Sequence, residues 1–295
     1  MLYLLGRPTL RECIRFIQRR AVDPPAAGRL TEAWGAAAAR IAEIEKEEAG
    51  LADHPQVQPL GPRYEPLLIE LLKDPLAHYA FNTVPVDIVM VPLDRLVVYQ
   101  NHIDLDFARS LERRLGPAPG EEQIFRTCLP SDHPLPPVEW ASDRDGRFVF
   151  LSPSNDLRFL RAVPLRSGQV VNTALSGVLV GMVGIAVGFG SNFLNAMHAG
   201  NRLILHNGTH RAFALRSAGI THAPCIVQYA SSREELDLIA PEAVRKRPEA
   251  FLEHPRPALL KDYFDPRLRI VFPSRRRLRQ VTVRFQVEEG WVPAV

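Results

Sequence analysis

The sequence predicts an α+β protein: a mixed core with N-terminal helices, an inserted β meander and a C-terminal helix-plus-hairpin region. Three observations predict it. Apolar residues recur at helical spacing through residues 1–83, the pattern turns to β-branched runs from Val84, and Arg202 to Val227 reads as strand, glycine turn, helix and strand. The expected division is a helical region at 1–83, a core at 84–230 with an insertion at about 116–177, and a C-terminal region at 231–295.

Thr9-Leu10-Arg11-Glu12 has the form of a capping box, in which hydroxyl and carboxylate satisfy each other's orphan N–H groups. Leu10, Ile14 and Ile17 line one face of the helix it opens, with Cys13 beside them as a core thiol, and Pro24-Pro25 closes it. A second helix is expected over Thr31 to Ala49, with Trp34, Ala38, Ile41 and Ile44 inward. A third helical stretch, Pro66 to Lys73, resumes after Pro75 and runs to about Phe81.

Val86 to Val91 and Leu96 to Tyr99 read as strands, and Asp104 as the N-cap of a helix ending at Leu115. Asp104 or Asp106 is also a candidate metal-binding or general-base carboxylate. Turn-rich linkers at 116–120 and 130–137 mark the region between them as a peripheral insertion. Val138 to Ala141, Phe148 to Leu151 and Phe159 to Leu165 are expected to form an antiparallel meander, with Asp143 and Asp145 as turn formers. Val178 to Val187 reads as a buried strand or strand pair, and Phe193 to His198 as a short helix capped by Asn192. The run from Ser167 to Asn201 holds no charged residue, but Asn172, Ser176, Ser191, Asn192 and Asn195 bracket an apolar centre too short for the about 20 residues of a membrane span. Helices follow at Ser232 and over Pro241 to His254. Arg267 to Arg284, with seven arginines and no acid, is expected to form a basic hairpin with its tip at 274–279.

Leu203 to Leu205 is a short apolar run that Asn207-Gly208 breaks; Thr209 then starts a helix that Gly219 closes, and Pro224 to Val227 is a buried strand. Such a turn aims the first N–H groups of a helix at one spot, where the macrodipole also favours an anion. Asn207, Gly208, Thr209, His210 and Arg211 are therefore the candidate phosphate-binding residues. Asn207 and Thr209 would donate, Gly208 would allow close approach, and His210 and Arg211 would neutralise charge. His210, with Asp104 and Asp106, is the candidate catalytic group, and Ser191, Asn192 and Asn195 are candidates for the same pocket. The spacings of His198, His206, His210 and His222 match no common zinc pattern, so no metal site is assigned to them.

Gly208-Thr209-His210-Arg211-Ala212 resembles the signature turn of the ParB/sulfiredoxin superfamily, in which a Gly-x-His-Arg or Gly-Glu-Arg-Arg turn precedes a helix and a strand. Val91 to Gln100 and the helix to Leu115 resemble the opening strand and helix of the same domain. The resemblance spans about 80–120 residues in two blocks. It implies a ParB/sulfiredoxin-like core that binds an ATP- or CTP-type nucleotide, with Mg²⁺ as its companion ion. Thr209 stands where sulfiredoxin has its catalytic cysteine and where the segregation protein has a glutamate, so neither chemistry is carried over with the turn.

Composition agrees with an ordinary globular chain of 295 residues, 46% apolar and 23% charged, with a formal net charge of +3. Cys13, Cys128 and Cys225 are far apart and form no CxxC, which argues for a reducing cytoplasm over a disulfide framework. The resulting expectation is a soluble nucleotide- or phosphate-binding protein that acts on a phosphorylated small molecule, with phosphotransfer or nucleotide hydrolysis as the candidate reaction and no membrane partner. The competing expectation is a non-catalytic nucleic-acid-associated protein using the basic hairpin. That is less favoured, because the net charge is small and no aromatics interleave with the tail arginines.

Overall fold

The computed structural model describes residues 1–143, 146–170 and 177–293 and is mixed α+β. In chain order the elements begin β1 (Leu2–Leu4), α1 (Leu10–Arg20), α2 (Ala27–Glu47), β2 (Gln58–Pro59), α3 (Glu65–Leu72) and α4 (Pro75–Ala80). The middle of the chain gives β3 (Val86–Pro92), β4 (His102–Ile103), α5 (Leu105–Leu115), α6 (Glu121–Cys128), β5 (Glu139–Ser142), β6 (Phe148–Ser152), β7 (Leu157–Arg166) and β8 (Gly181–Phe189). The remainder is β9 (Asn195–Ala199), β10 (Arg202–Asn207), α7 (Thr209–Ser217), β11 (His222–Ala230), α8 (Arg233–Ile239), α9 (Glu242–Lys246), α10 (Glu249–Leu252), β12 (Arg269–Val271) and β13 (Arg279–Val283).

The chain divides into two units, Met1–Asp132 with Ser191–Arg275, and His133–Gly190 with Arg276–Val295. This differs from the expected insertion at about 116–177. Helix α6 belongs to the first unit because Ile124, Phe125 and Cys128 are buried in its core, whereas β8 lies in the second.

In the first unit a five-stranded sheet runs β10-β9-β11-β3-β2. Strands β9 and β10 are apolar on both faces, as strands covered on both sides must be. Leu203, Leu205 and Ala196 join a large cluster with Leu111, Phe125 and Leu215, while Ile204 and Met197 join a second cluster with Leu236, Ile239 and Val244. A smaller sheet, β12-β1-β4, ties the start of the chain to residues 269–271. The capping box of α1 forms as expected: Glu12 Oε2 accepts from the Thr9 N–H at 2.8 Å, and Thr9 Oγ1 accepts from the Glu12 N–H at 3.3 Å.

Several expectations change. Phe193 to His198 is not a helix. Asn195–Ala199 is the strand between β10 and β11, where pairing on both sides overrides local helix propensity. Leu96 to Tyr99 does not enter a sheet as a strand: Val97 bridges to Ile204 and Leu259 in isolation. Pro248 splits the expected Pro241 to His254 helix into α9 and α10.

In the second unit β7 leaves the expected meander. The three-stranded sheet is β13-β6-β5, and β7 pairs with β8 as a separate two-stranded ribbon. The expected basic hairpin does not exist, because β12 pairs with β1 whereas β13 pairs with β6. Nor is Val178 to Val187 buried; Val178 and Val180 are 96% and 91% exposed, and β8 begins only at Gly181. The turn assigned to Asp143 and Asp145 is described only in part: Asp143 accepts from the Arg147 N–H at 3.0 Å, and Asp145 lies outside the described residues, as do Asn172 and Ser176.

Candidate functional site

The strand–turn–helix–strand unit forms as β10, the Gly208 turn, α7 and β11. Gly208 has φ +91°, the left-handed region that glycine enters without strain. A Cβ there would stand 2.6 Å from Leu194 Cδ1, so Leu194 occupies the side from which the sequence suggested close ligand approach. The Asn207 side chain builds the turn: its Oδ1 accepts from the Gly208 N–H at 2.8 Å, and its Nδ2 donates to the Ser191 carbonyl at 2.8 Å. α7 then starts with no side-chain cap, and Thr209 is buried at its first position.

Arg211 is where the structure departs most from the expected clamp. Its guanidinium is buried and donates to the Asn192 carbonyl at 2.7 Å, to the Asn192 side-chain oxygen, and to the Cys128 carbonyl at 3.2 Å. A permanently charged fork held by three protein oxygens ties α7 to the end of α6 and to the segment entering β9. Ser191 and Asn192 do stand beside the turn, but through carbonyls turned toward Asn207 and Arg211. Asn195 lies opposite Asn207 on the neighbouring strand; its Nδ2 donates to the Phe193 carbonyl at 3.2 Å, and its buried Oδ1 finds no partner among the described residues.

His210 and Asp104 are brought together. The Asp104 backbone N–H donates to His210 Nε2 at 2.8 Å, while the Asp104 carboxylate caps α5 by accepting from the N–H groups of Asp106 and Phe107. An imidazole accepting at Nε2 carries its proton on Nδ1 and is neutral. Burial pulls the His210 pKa down to about 4, against the pull of Asp104 and with a further push from Arg211. His210 therefore supplies no positive charge near neutral pH, contrary to the expected role. Its ring meets Phe107 edge-on at 5.5 Å.

His102, which sequence reasoning passed over, adjoins it. Burial, then His210 and Arg20, bring its pKa to about 4. The ring packs on Phe16 at 5.0 Å, a position set by β4 pairing with β1. No local motif announces it, since the contact needs residues 2–4 in place. Asp106 faces solvent, with Arg109 at 3.7 Å. His198 lies against Tyr229, and His222 touches Thr221, so the four histidines named from sequence do not form one group.

Burial raises the thiols of Cys13 and Cys128 to about 11 and about 12, and that of Cys225 well above its usual value, which disfavours the reactive thiolate at each. A cleft of about 420 Å³ in the first unit is lined by Arg63, Tyr64, Glu70, Glu122 and Arg126 and shares no residue with the turn. Arg126 is held there by Glu70 at 2.9 Å and Glu122 at 2.8 Å. Among the described residues no helix is long and apolar enough to cross a membrane. No family model, curated protein or solved structure matches the chain.

Proposed function

We propose that the chain is a nucleotide- or phosphate-binding protein of the ParB/sulfiredoxin-like type, with the anion seated at the start of α7. One observation carries the reading: α7 opens from a left-handed glycine with no side-chain cap, at the end of a buried strand. A helix N-terminus without a cap offers N–H donors and a positive dipole end to a phosphate. The donors in this reading are the backbone N–H groups of Thr209 and His210 and the Thr209 hydroxyl. Asn207 and Arg211 act as builders of the turn, because their side chains are held by the protein.

Phosphotransfer or nucleotide hydrolysis is the reaction class such a seat serves. His210 is poorly suited as its base, since Nε2 is taken and its pKa is low. Asp106, exposed at the start of α5, is the candidate carboxylate for Mg²⁺.

Thermal unfolding with millimolar ATP, CTP or inorganic phosphate, each with Mg²⁺, tests the reading. A ligand at one hundred times its Kd stabilises the fold by about 2.7 kcal/mol. Asn207→Asp keeps the acceptor for the Gly208 N–H but sets a negative charge beside the seat, and is expected to remove the shift while the protein stays folded. The absence of a shift with all three anions, or an unchanged shift in the variant, counts against a site at this turn.

A further inference from the structure

The two sheets of the second unit leave unusual chemistry on the surface. Register places Trp140 of β5, Phe148 and Phe150 of β6, and Val281 and Val283 of β13 on one face of the β13-β6-β5 sheet. Trp140 stacks on Phe150 at 6.1 Å with 19° between the planes, yet remains 66% exposed. Phe285, just beyond β13, meets Phe148 edge-on at 5.7 Å and is also exposed. Among the described residues this unit contains no α-helix to cover that face.

The charge of the protein is concentrated in the same unit. It carries nine arginines and no lysine against six acidic residues, which accounts for the whole formal net charge of +3 and leaves the first unit neutral. Arg147 and Arg158 pair with Asp143 and Asp156. Arg161, Arg166, Arg276, Arg277 and Arg284 are exposed and make no ion pair among the described residues. Strand pairing thus brings Phe148 and Phe150 beside the strand that follows Arg276 and Arg277.

We propose that the aromatic face of the β13-β6-β5 sheet, together with the exposed arginines of the same unit, is a platform for single-stranded nucleic acid. Exposed rings offer π-faces on which unpaired bases stack whatever their identity, and guanidinium groups track the phosphates between them. A duplex keeps its bases stacked on each other and can use only the charge. An anionic membrane would use the charge and could also seat exposed aromatic and apolar side chains such as Trp140, Val178 and Val180 at its interface, so vesicle binding is the opposing outcome of the test. This reading is independent of the phosphate seat at α7, which lies in the other unit.

The test is fluorescence anisotropy of the full chain with a labelled oligothymidine or oligouridine, a duplex of equal length, and vesicles containing phosphatidylserine, at low and moderate salt. Single strands are expected to bind in preference to duplex, with a negative slope of log affinity against log salt. Trp140→Ala should weaken single-strand binding roughly 5- to 150-fold, and Trp140→Phe should retain most of it. Changing Arg276, Arg277 and Arg284 to Gln should flatten the slope by about 0.7 for each phosphate that is no longer neutralised. Circular dichroism and the melting temperature verify that the variants are folded. Should Trp140→Ala lower the melting temperature, quenching by the oligonucleotide that is present in the wild type and lost in Trp140→Phe, with Trp34 and Trp291 unchanged in both, supplies the evidence for stacking. No single-strand binding, equal affinity for duplex, retention by vesicles alone, or affinity and fluorescence indifferent to Trp140 each overturns the proposal.

Discussion

The first unit buries Arg202, Arg211 and Arg256, whereas every described arginine of the second unit is exposed. In the first unit each buried guanidinium is an internal tie between distant stretches of chain. Arg202 reaches Asp53 at 2.6 Å and the Phe251 carbonyl at 3.0 Å, and Arg211 joins α7 to Cys128 and Asn192. Arg256, fully buried, grips Asp262 through two nitrogens at 3.0 and 2.6 Å and Glu48 at 2.9 Å. Apolar burial follows the same division: both core clusters lie wholly in the first unit, and Leu157 is the one hydrophobic side chain of the second unit that is buried among the described residues. One residue type thus does opposite work in two parts of one chain. The lesson concerns inference from composition, because a net charge near zero averages over a neutral, cross-tied unit and a basic, open one.

The sharpest way to break this comparison is to remove a buried tie. Arg256→Ala leaves the buried Asp262 carboxylate without its guanidinium partner beside a new void, while Glu48 keeps Lys261 at 2.8 Å, and is expected to cost about 3–5 kcal/mol in the denaturant-induced unfolding of the protein. A loss below about 1 kcal/mol would make Arg256 a bystander.

Apolar truncation gives the next contrast. Leu203→Ala, at a fully buried position of β10, is expected to cost about 2–5 kcal/mol, whereas Val183→Ala on the exposed ribbon should stay within about 0.5 kcal/mol. Comparable losses at the two positions would erase the distinction between a packed unit and an open one.

The third contrast is pH dependence, and it belongs to the first unit. His102 and His210 have folded pKa values of about 4, below the ordinary 6.5. The unfolded state therefore binds protons first as pH falls, and stability drops between about pH 6.5 and pH 4. His210→Gln, which keeps an acceptor for the Asp104 N–H, should flatten that drop in a stability-against-pH profile. An unaltered slope would assign the acid sensitivity elsewhere.

What could be read from sequence was local. The α1 capping box, the Asp104 cap of α5, and the succession of β10, turn, α7 and β11 each rest on residues within a few positions of one another. What could not be read depends on distant partners. β9 is a strand because β10 and β11 flank it, although Phe193 to His198 also suits a helix. β12 and β13 look like one hairpin in sequence but pair with β1 and β6. Arg211 looked like a ligand clamp because nothing in its neighbourhood announces that Cys128 and Asn192 present their carbonyls to it. The alternation of Trp140 with Phe148 and Phe150 becomes one face only through the pairing of β5 with β6.

Strand order also has a consequence for synthesis on the ribosome. The sheet around β1 is completed by β12, and the sheet around β6 by β13, so both close with strands from the last part of the chain. At about 5–20 residues per second, β6 emerges on the order of ten seconds before its second neighbour, and β1 waits longer for β12. During that interval each nascent strand presents an unpaired backbone edge, and the β6 edge carries Phe148 and Phe150 beside it. Vectorial folding of this protein is consequently a matter of guarding two open edges until the final strands arrive, a task for chaperones that hold extended apolar chain.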